Sequence, residues 1–410
     1  MNLVLRGGTV LTMDPELGEF DRADVHLADG RIVAVGPGLS VPEASIVDVT
    51  GSVVLPGFVE THWHLWNTLL RGAPGGYFAA CAGLGRSLTP DDIHRGTSLS
   101  CAQALRCGMT FVHDWCHNVR SPAHARAALG ALAESGLRGR FSYGYGVGHR
   151  NDEPMDLVDL ARLAGDWTHD RISLGMAWRG QGGSDPAVRV PPEVYRREAA
   201  TARGLGLPIS VHASGPRSAR GQIAGLADLL GPDTQIVHAD NASDAELRLL
   251  AETGAVVSLS PVSEMRIGYG FPRTRELLDA GIPVGLSTDT TMLTGKADPF
   301  ATMKTLLGVA NAAAGDEAAL TPRRVLELAT VEGARTMGLG RVTGSLRPGK
   351  HADVTVIALG DWPGDPAEFL VTAAQPADVR LTLVGGVTRY RHPGRPAGSA
   401  AVQGRDHGAQ

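Results

Sequence analysis

The chain has 410 residues, 43% of them apolar, and a formal net charge of −5. These values allow a large core in one or two domains. The sequence contains no run of basic residues of the kind that binds nucleic acid. No apolar run approaches the ~20 residues of a membrane helix, and we expect neither a signal peptide nor a membrane partner. The four cysteines show no paired Cys-x-x-Cys spacing, so we expect a cytoplasmic protein with reduced thiols.

The first 54 residues predict only short β-strands, including a hairpin over residues 23–35 that turns at Asp29-Gly30. Residues 55–64 then predict an apolar strand that ends in His62-Trp63-His64. Side chains two positions apart on a strand share a face, so both imidazoles should point the same way. Two neutral imidazoles on a rigid strand are a geometry that suits Zn²⁺ or Fe²⁺.

After this strand, residues 65–88 show no clear period and predict a long, functional loop with partial helix. Thr89-Pro90 begins a helix that ends near residue 107, and a Ser243-x-x-Glu246 capping box begins a later one. Seven further strands alternate with helices and are predicted at residues 109–115, 140–147, 172–178, 207–213, 235–239, 255–261 and 283–288. Eight strand–helix units over roughly 280 residues predict a (β/α)₈ TIM barrel of the α/β class.

The β pattern returns after residue 340, with a strand at residues 352–359 and a hairpin around Gly385-Gly386. The two ends of the chain should therefore pair into a small β-sandwich domain beside the barrel. The predicted domains are residues 1–54 and 341–392 for the two parts of the sandwich, 55–340 for the barrel and 393–410 for a flexible tail.

Metal-binding and acid–base side chains gather at the ends of the predicted barrel strands. They are His62, His64, His113, Asp114, His117, His212, His238, Asp240 and Asp289. Barrel active sites lie at the carboxyl ends of the strands. One such histidine could be a core residue, but four histidines and an aspartate on strands 1, 5, 6 and 8 predict a metal centre.

The pattern Pro56-Gly57-Phe58-Val59-Glu60-x-His-x-His, followed by single histidines and a Thr-Asp pair, resembles the amidohydrolase superfamily. Within it, the chain is similar to the branch of cytosine, guanine and adenosylhomocysteine deaminases and triazine hydrolases, over nearly its whole length. The resemblance implies a mononuclear metal-dependent hydrolase that uses a metal-activated water. It would act on a non-peptide carbon–nitrogen bond of a small heterocyclic molecule, as an aminohydrolase or deaminase. Amide or cyclic-amide hydrolysis, dehalogenation and a lyase-type step in small-molecule metabolism are the alternatives.

The resemblance also implies roles for individual residues. One divalent ion, expected to be zinc with iron(II) or manganese(II) as alternatives, would be held by His62, His64, His212 and Asp289. Asp289 would also act as general base, and His238 would donate to the developing oxyanion. Binuclear relatives carry a modified lysine at the end of strand 4, but this sequence has none in residues 177–180, which favours one ion.

One departure from the family pattern concerns strand 5. Deaminases of this branch usually carry His-x-x-Glu there, and the glutamate moves protons during deamination. This chain has Gly215 three residues after His212. Our hypothesis is that Glu264, just past strand 7, supplies the missing acid–base function. The alternative is that Glu264 contacts substrate or caps a turn.

The loops after the strands should select a small-molecule substrate. The candidate substrate-binding residues are Trp66, Asn67, Arg71, Asp114, His117 and Trp178. Aromatic and amide groups around a metal suit a flat, polar, nitrogen-containing ligand. Each of these side chains could equally serve packing. By analogy with other such barrels, a homodimer is a further expectation.

Overall fold

The computed structural model describes residues 2–182, 189–215 and 221–394. The strands are β1 (Asn2–Leu11), β2 (Glu19–Ala28), β3 (Arg31–Gly36), β4 (Ser45–Asp48), β5 (Ser52–Pro56), β6 (Phe58–Trp63), β7 (Met109–Cys116), β8 (Arg138–Tyr143), β9 (Ile172–Trp178), β10 (Ile209–Ala213), β11 (Thr234–His238), β12 (Val256–Leu259), β13 (Val284–Leu286), β14 (Val354–Ala358), β15 (Val379–Val384) and β16 (Val387–Arg391). The α-helices are α1 (Gly76–Leu84), α2 (Pro90–Arg106), α3 (Pro122–Glu134), α4 (Leu157–Asp166), α5 (Pro192–Gly204), α6 (Asp244–Thr253), α7 (Pro261–Ile267), α8 (Thr274–Asp279), α9 (Thr291–Thr294), α10 (Pro299–Ala314), α11 (Pro322–Leu328), α12 (Val331–Thr336) and α13 (Pro366–Thr372). Short 3₁₀ helices lie at Leu65–Leu70, Gly85–Ser87, Ala224–Leu229 and Pro376–Asp378.

Strands β6 to β13 form one parallel sheet in chain order, with helices between them. Just past the last strand, the chain returns to the first strand through backbone hydrogen bonds at Asp289, His62 and His64. The N–H of Asp289 donates to the carbonyl of His62 at 3.0 Å, and the N–H of His64 donates to the carbonyl of Asp289 at 2.7 Å. This closure makes the sheet a (β/α)₈ TIM barrel, as the strand–helix alternation predicted.

Local sequence explains why several barrel helices begin where they do. Thr89 and Asp92 form a reciprocal capping box at the start of α2, and Ser243 and Glu246 form another at the start of α6. Each box satisfies backbone N–H groups that have no partner within the helix. Both helix starts were predicted from sequence.

The second sheet is built from both ends of the chain, as predicted. Its strand order is β16-β15-β14-β5-β1-β2-β3, with β4 beside β1. The N-terminal and C-terminal strands are joined by the antiparallel pairing of β5 with β14, where Pro56 lies opposite Val354. The proposed domain boundary at residue 54 falls within β5. The proposed tail, residues 393–410, lies from residue 395 onward outside the described residues.

A tight joint connects the terminal sheet to the barrel. Gly57 leads into the first barrel strand, and a Cβ there would lie 2.1 Å from Thr110 Cγ2, so no larger residue fits. The Gly57 N–H donates to the carbonyl of Asp353 at 3.0 Å. The Asp353 carboxylate accepts from Arg138 Nε at 2.8 Å and from the Gly385 N–H at 2.9 Å. Arg138 and Asp353 thus form a buried ion pair between the two sheets.

In the described part of the chain, no helix combines the length and apolarity needed to span a bilayer. All four cysteines are buried and take part in no disulfide. This agrees with the absence of paired cysteine spacing in the sequence.

We predict that Arg138→Met destabilises the fold by about 3–5 kcal/mol, because it leaves the Asp353 carboxylate buried without its charge partner. Denaturant-induced unfolding of the variant and of the unchanged chain measures the difference. Asp279→Asn is the control, since it breaks an exposed pair with Arg275 and should change stability by at most about 1 kcal/mol. Equal stabilities of the two variants would contradict the structural role of the buried pair.

Candidate active site

Histidine and carboxylate side chains converge at the carboxyl ends of the barrel strands. His62, His212, His238 and Asp289 offer ligand atoms that all lie within 4.8 Å of one another. His64 joins them through Asp289, because its Nε2 lies 3.4 Å from Asp289 Oδ1, the same separation as His62 Nε2. The structure therefore brings together all four side chains that sequence proposed as metal ligands, with His238 beside them.

The donor atoms have the chemistry that a divalent ion requires. The His64 Nδ1 lies 2.8 Å from the carbonyl of Trp115, so this nitrogen carries the hydrogen. The lone pair of Nε2 is therefore free to bind a metal ion. Both ring nitrogens of His62 are buried without a hydrogen-bond partner among the described residues. Burial lowers the pKa of His62, His64 and His212 well below 6.5, which keeps the imidazoles neutral. Orphaned, neutral imidazoles around a carboxylate fit a bound transition-metal ion.

Glu60 holds in place the backbone next to His62 and Asp289. Its carboxylate accepts from the Thr288 hydroxyl at 2.6 Å and from the Thr288 N–H at 2.9 Å, directly before Asp289 in the chain. It also lies 3.3 Å from the N–H of His62. Burial raises the pKa of Glu60 to about 8 despite these hydrogen bonds. One buried acid thus fixes both the first and the last barrel strand beside the site.

His238 is held as a hydrogen-bond donor by Glu264. Nδ1 of His238 lies 3.0 Å from Oε1 of Glu264, and the same oxygen accepts from the Ser260 N–H at 2.7 Å. Burial lowers the pKa of His238, but the bond to Glu264 and the charge of Asp289 outweigh it and raise that pKa to about 9. Glu264 lies on α7, a helix that the sequence analysis did not predict.

Two of the substrate-binding residues predicted from the sequence, His117 and Trp66, lie beside the cluster of histidines around Asp289. The His117 ring centroid is 4.3 Å from that of His64 and 5.1 Å from that of Trp66. Trp115 is also close, at 4.3 Å from His212. Tyr145 extends this aromatic wall, with its ring 6.2 Å from His117. His117 and Tyr145 are partly exposed, whereas the two tryptophans are buried behind them.

The other four predicted substrate residues are engaged in packing or loop contacts. Asn67 is buried and accepts from the Thr290 hydroxyl at 2.9 Å. Arg71 is exposed and donates to the Gly295 carbonyl, Asp114 is buried near the Leu65 N–H, and Trp178 donates to the Tyr195 carbonyl in the helix layer. Residue type and position near a strand end therefore did not distinguish side chains that pack from side chains that could contact a substrate.

Three residues near the site were missed or left without a role. Tyr269 has its ring 5.9 Å from His238, and burial together with the charge of Asp289 raises its pKa to about 12. Burial, with a smaller contribution from the charge of Asp289, also raises the pKa of the Tyr77 phenol. Both lie in regions that carry no periodic signal. Asp240 was noted at the end of strand 6, and the structure places it with His238 and Glu264.

We predict that Glu60→Gln weakens metal binding about 10- to 100-fold, because it loosens the segment that carries Asp289. Competition with a chelator measures the dissociation constant of the ion. Glu134→Gln, which alters an exposed acid paired with His94, should leave it unchanged. An unchanged constant in Glu60→Gln would show that Asp289 is positioned without this acid.

Two curated relatives match almost the whole chain. The 5′-deoxyadenosine deaminase of Methanosarcina mazei is 30% identical over 94% of this chain and 92% of the relative. The 5-methylthioadenosine/S-adenosylhomocysteine deaminase of Natronomonas pharaonis is 31% identical over 94% of this chain and 91% of its own length.

Two solved structures share the fold. An adenosine deaminase from Xanthomonas campestris with bound zinc superposes with a TM-score of 0.81 at 24% identity, covering 95% of this chain and 93% of that one. The atrazine chlorohydrolase from Arthrobacter aurescens, complexed with zinc, has a TM-score of 0.78 at 22% identity, with 95% of both chains covered.

A family-level match covers most of the chain. The sequence profile of the Amidohydrolase family matches residues 53–389, which include the whole barrel and most of the C-terminal strands. The sequence-based identification as a hydrolase of this superfamily is confirmed, and the described residues include a cluster that could hold a divalent metal. The chain therefore belongs to the amidohydrolase family.

Proposed function

We propose that this chain is a mononuclear, zinc-dependent deaminase that removes the exocyclic amino group of an adenosine-like nucleoside with an altered 5′ carbon. The observation that carries the proposal is the cluster of three histidines around Asp289 with His238 beside it. The names of the two relatives support the substrate class, since all three compounds in them are adenine nucleosides changed at the 5′ carbon.

Zinc would be held by His62, His64, His212 and Asp289, and the zinc in both structural neighbours supports this choice of ion. When bound, it would supply a Lewis acid that lowers the pKa of a water molecule towards ~7. The absence of a lysine at the end of β9 supports a single ion.

The protein's own groups would move the protons. The Asp289 carboxylate would accept a proton from the attacking water and pass it to the leaving nitrogen. His238 would donate from Nε2 to the oxygen on which charge develops, while its Nδ1–H donates to the Glu264 carboxylate. In this scheme Glu264 is a positioning residue that acts through His238.

The aromatic wall would bind the flat base. His117 and Tyr145 present partly exposed rings close to the cluster, with Trp66 and Trp115 packed behind them. Stacked or edge-on aromatic contacts suit a purine ring and hold it without a charged partner.

We predict that zinc-loaded protein releases ammonia from 5′-deoxyadenosine and contains about one ion per chain. His62→Ala should lose both the ion and the activity, because it removes a ligand from β6. Elemental analysis and an ammonia assay measure these quantities. His94→Ala, on the exposed face of α2, is the control and should retain both. Release of chloride from a chlorotriazine without any deamination would favour the dehalogenating alternative instead.

We predict that Glu264→Gln lowers kcat about 10- to 100-fold with metal content unchanged, because His238 loses the negative charge that keeps it protonated. Steady-state kinetics on the same nucleoside give kcat and KM separately. Glu252→Gln, an exposed acid on α6, should behave like the unchanged chain. Near-normal turnover of Glu264→Gln would remove Glu264 from the catalytic scheme.

A further inference from the structure

Asp240 presents a carboxylate beside the active site, and no described residue donates a hydrogen bond to it. The residue is 7% exposed, and neither carboxyl oxygen has a hydrogen-bond partner in the ranges that the structure describes. One of its oxygens lies within 4.8 Å of a His238 nitrogen and of a Glu264 oxygen. Buried polar groups are normally satisfied, so a bare carboxylate in a site is one that a ligand completes.

The register of the barrel strands places Asp240 next to the position of the missing glutamate. Strand β10 pairs in parallel with β11, and Ala213 lies opposite His238. Beyond the ends of these strands, the Asn241 side chain donates to the Gly215 carbonyl, so the segments that carry Gly215 and Asp240 stay in contact. The N–H of Gly215 approaches the Asp240 carboxylate without the geometry of a hydrogen bond. A carboxylate from strand 6 therefore occupies the neighbourhood where the family pattern puts one from strand 5.

The backbone before Asp240 has an uncommon conformation. His238 has φ 78° and Ala239 has φ 59°, two consecutive left-handed residues without a glycine. The Ala239 N–H donates to the Ala213 carbonyl at 3.1 Å, which ties this turn to β10. Such conformations cluster at functional sites, where the surrounding structure maintains them.

Glu264 is less suited to contact substrate. One of its oxygens is tied between His238 and the Ser260 N–H, and the residue is wholly buried behind the imidazole. No hydrogen bond from a described residue restrains the Asp240 carboxylate. Glu264 Oε2 also lacks a partner among the described residues, but Glu264 is fully buried, whereas Asp240 is 7% exposed and is the acid that a ligand can reach.

We propose that Asp240 carries protons between the substrate ring and the attacking water, in place of the glutamate absent at Gly215. This inference rests on the proposed deaminase function. It assigns Glu264 and Asp240 separate tasks, the first orienting His238 and the second transferring protons.

The proton transfers balance. Asp240, as the carboxylic acid, donates its proton to the ring nitrogen next to the amine-bearing carbon while the water oxygen bonds to that carbon. Asp289 takes one proton from the water and gives it to the amino group, which leaves as ammonia when the carbon–nitrogen bond breaks. The new hydroxyl returns its proton to Asp240 as it becomes a carbonyl. The two protons of the water end on Asp240, restoring the proton it gave to the ring nitrogen, and on ammonia.

The test is Asp240→Asn, assayed as zinc-loaded protein with 5′-deoxyadenosine, with metal content and unfolding temperature measured on the same sample. We expect kcat to fall at least ~10²-fold, with KM within about threefold and about one ion retained. Asp244→Asn is the matched control, because that acid lies at the exposed start of α6 and pairs with Arg273. Its kcat should be unchanged.

A kcat of Asp240→Asn within about threefold of the unchanged chain would overturn the role, and so would loss of the ion. If the asparagine variant does not fold, Asp240→Glu and Asp240→Gln replace it. The glutamate variant should be at least ~10-fold faster, since only it keeps an acid, and equal rates would overturn the role. An unchanged chain that binds zinc but deaminates no adenosine analogue would refute the proposed function itself, and the role of Asp240 with it.

Discussion

The site depends on how the barrel closes. The last strand meets the first through the backbone of Asp289, which exchanges hydrogen bonds with His62 and His64. Glu60 reinforces this seam by binding Thr288 on one side and approaching the His62 N–H on the other. Because three of the four proposed ligands, His62, His64 and Asp289, lie at this seam, closure of the barrel also brings their side chains together. A strand displaced at this point would remove the carboxylate from all of its histidine neighbours.

Three buried acids near the site differ in the hydrogen bonds that they accept. Glu60, Glu264 and Asp240 all lie within the barrel mouth or below it, yet they have different numbers of partners. Glu60 accepts hydrogen bonds from the backbone and side chain of Thr288 and so holds this segment in place. Glu264 accepts from one backbone N–H and from His238. Asp240 accepts no hydrogen bond from a described residue. Partner number thus separates a structural acid from one that orients a histidine and from one left available to a ligand.

Much of this architecture could be predicted from the sequence because its signals are local. Thr89-Pro90 and the Ser243 capping box marked helix starts, and the His62-x-His64 alternation indicated two imidazoles on one face. The rest depends on tertiary contacts that leave no periodic pattern. Helix α7 begins at Pro261, almost directly after β12, and is only two turns long, so no amphipathic repeat revealed the element that carries Glu264. Likewise, Trp178 ends β9 and His117 directly follows β7, but the Trp178 indole donates to the Tyr195 carbonyl in the helix layer, whereas His117 lies beside His64.

The pairing of β14 with β5 links residues that are about three hundred positions apart in the chain. The full sheet therefore cannot form until β14 and β15 have been synthesised. During synthesis the N-terminal strands must wait with one edge unpaired, while the barrel strands accumulate behind them. Contacts of such long sequence separation slow folding and prolong the exposure of strand edges to other chains. The joint at Gly57 and Asp353 would then be among the last contacts made, so aggregation during expression should be most sensitive to substitutions in these terminal strands.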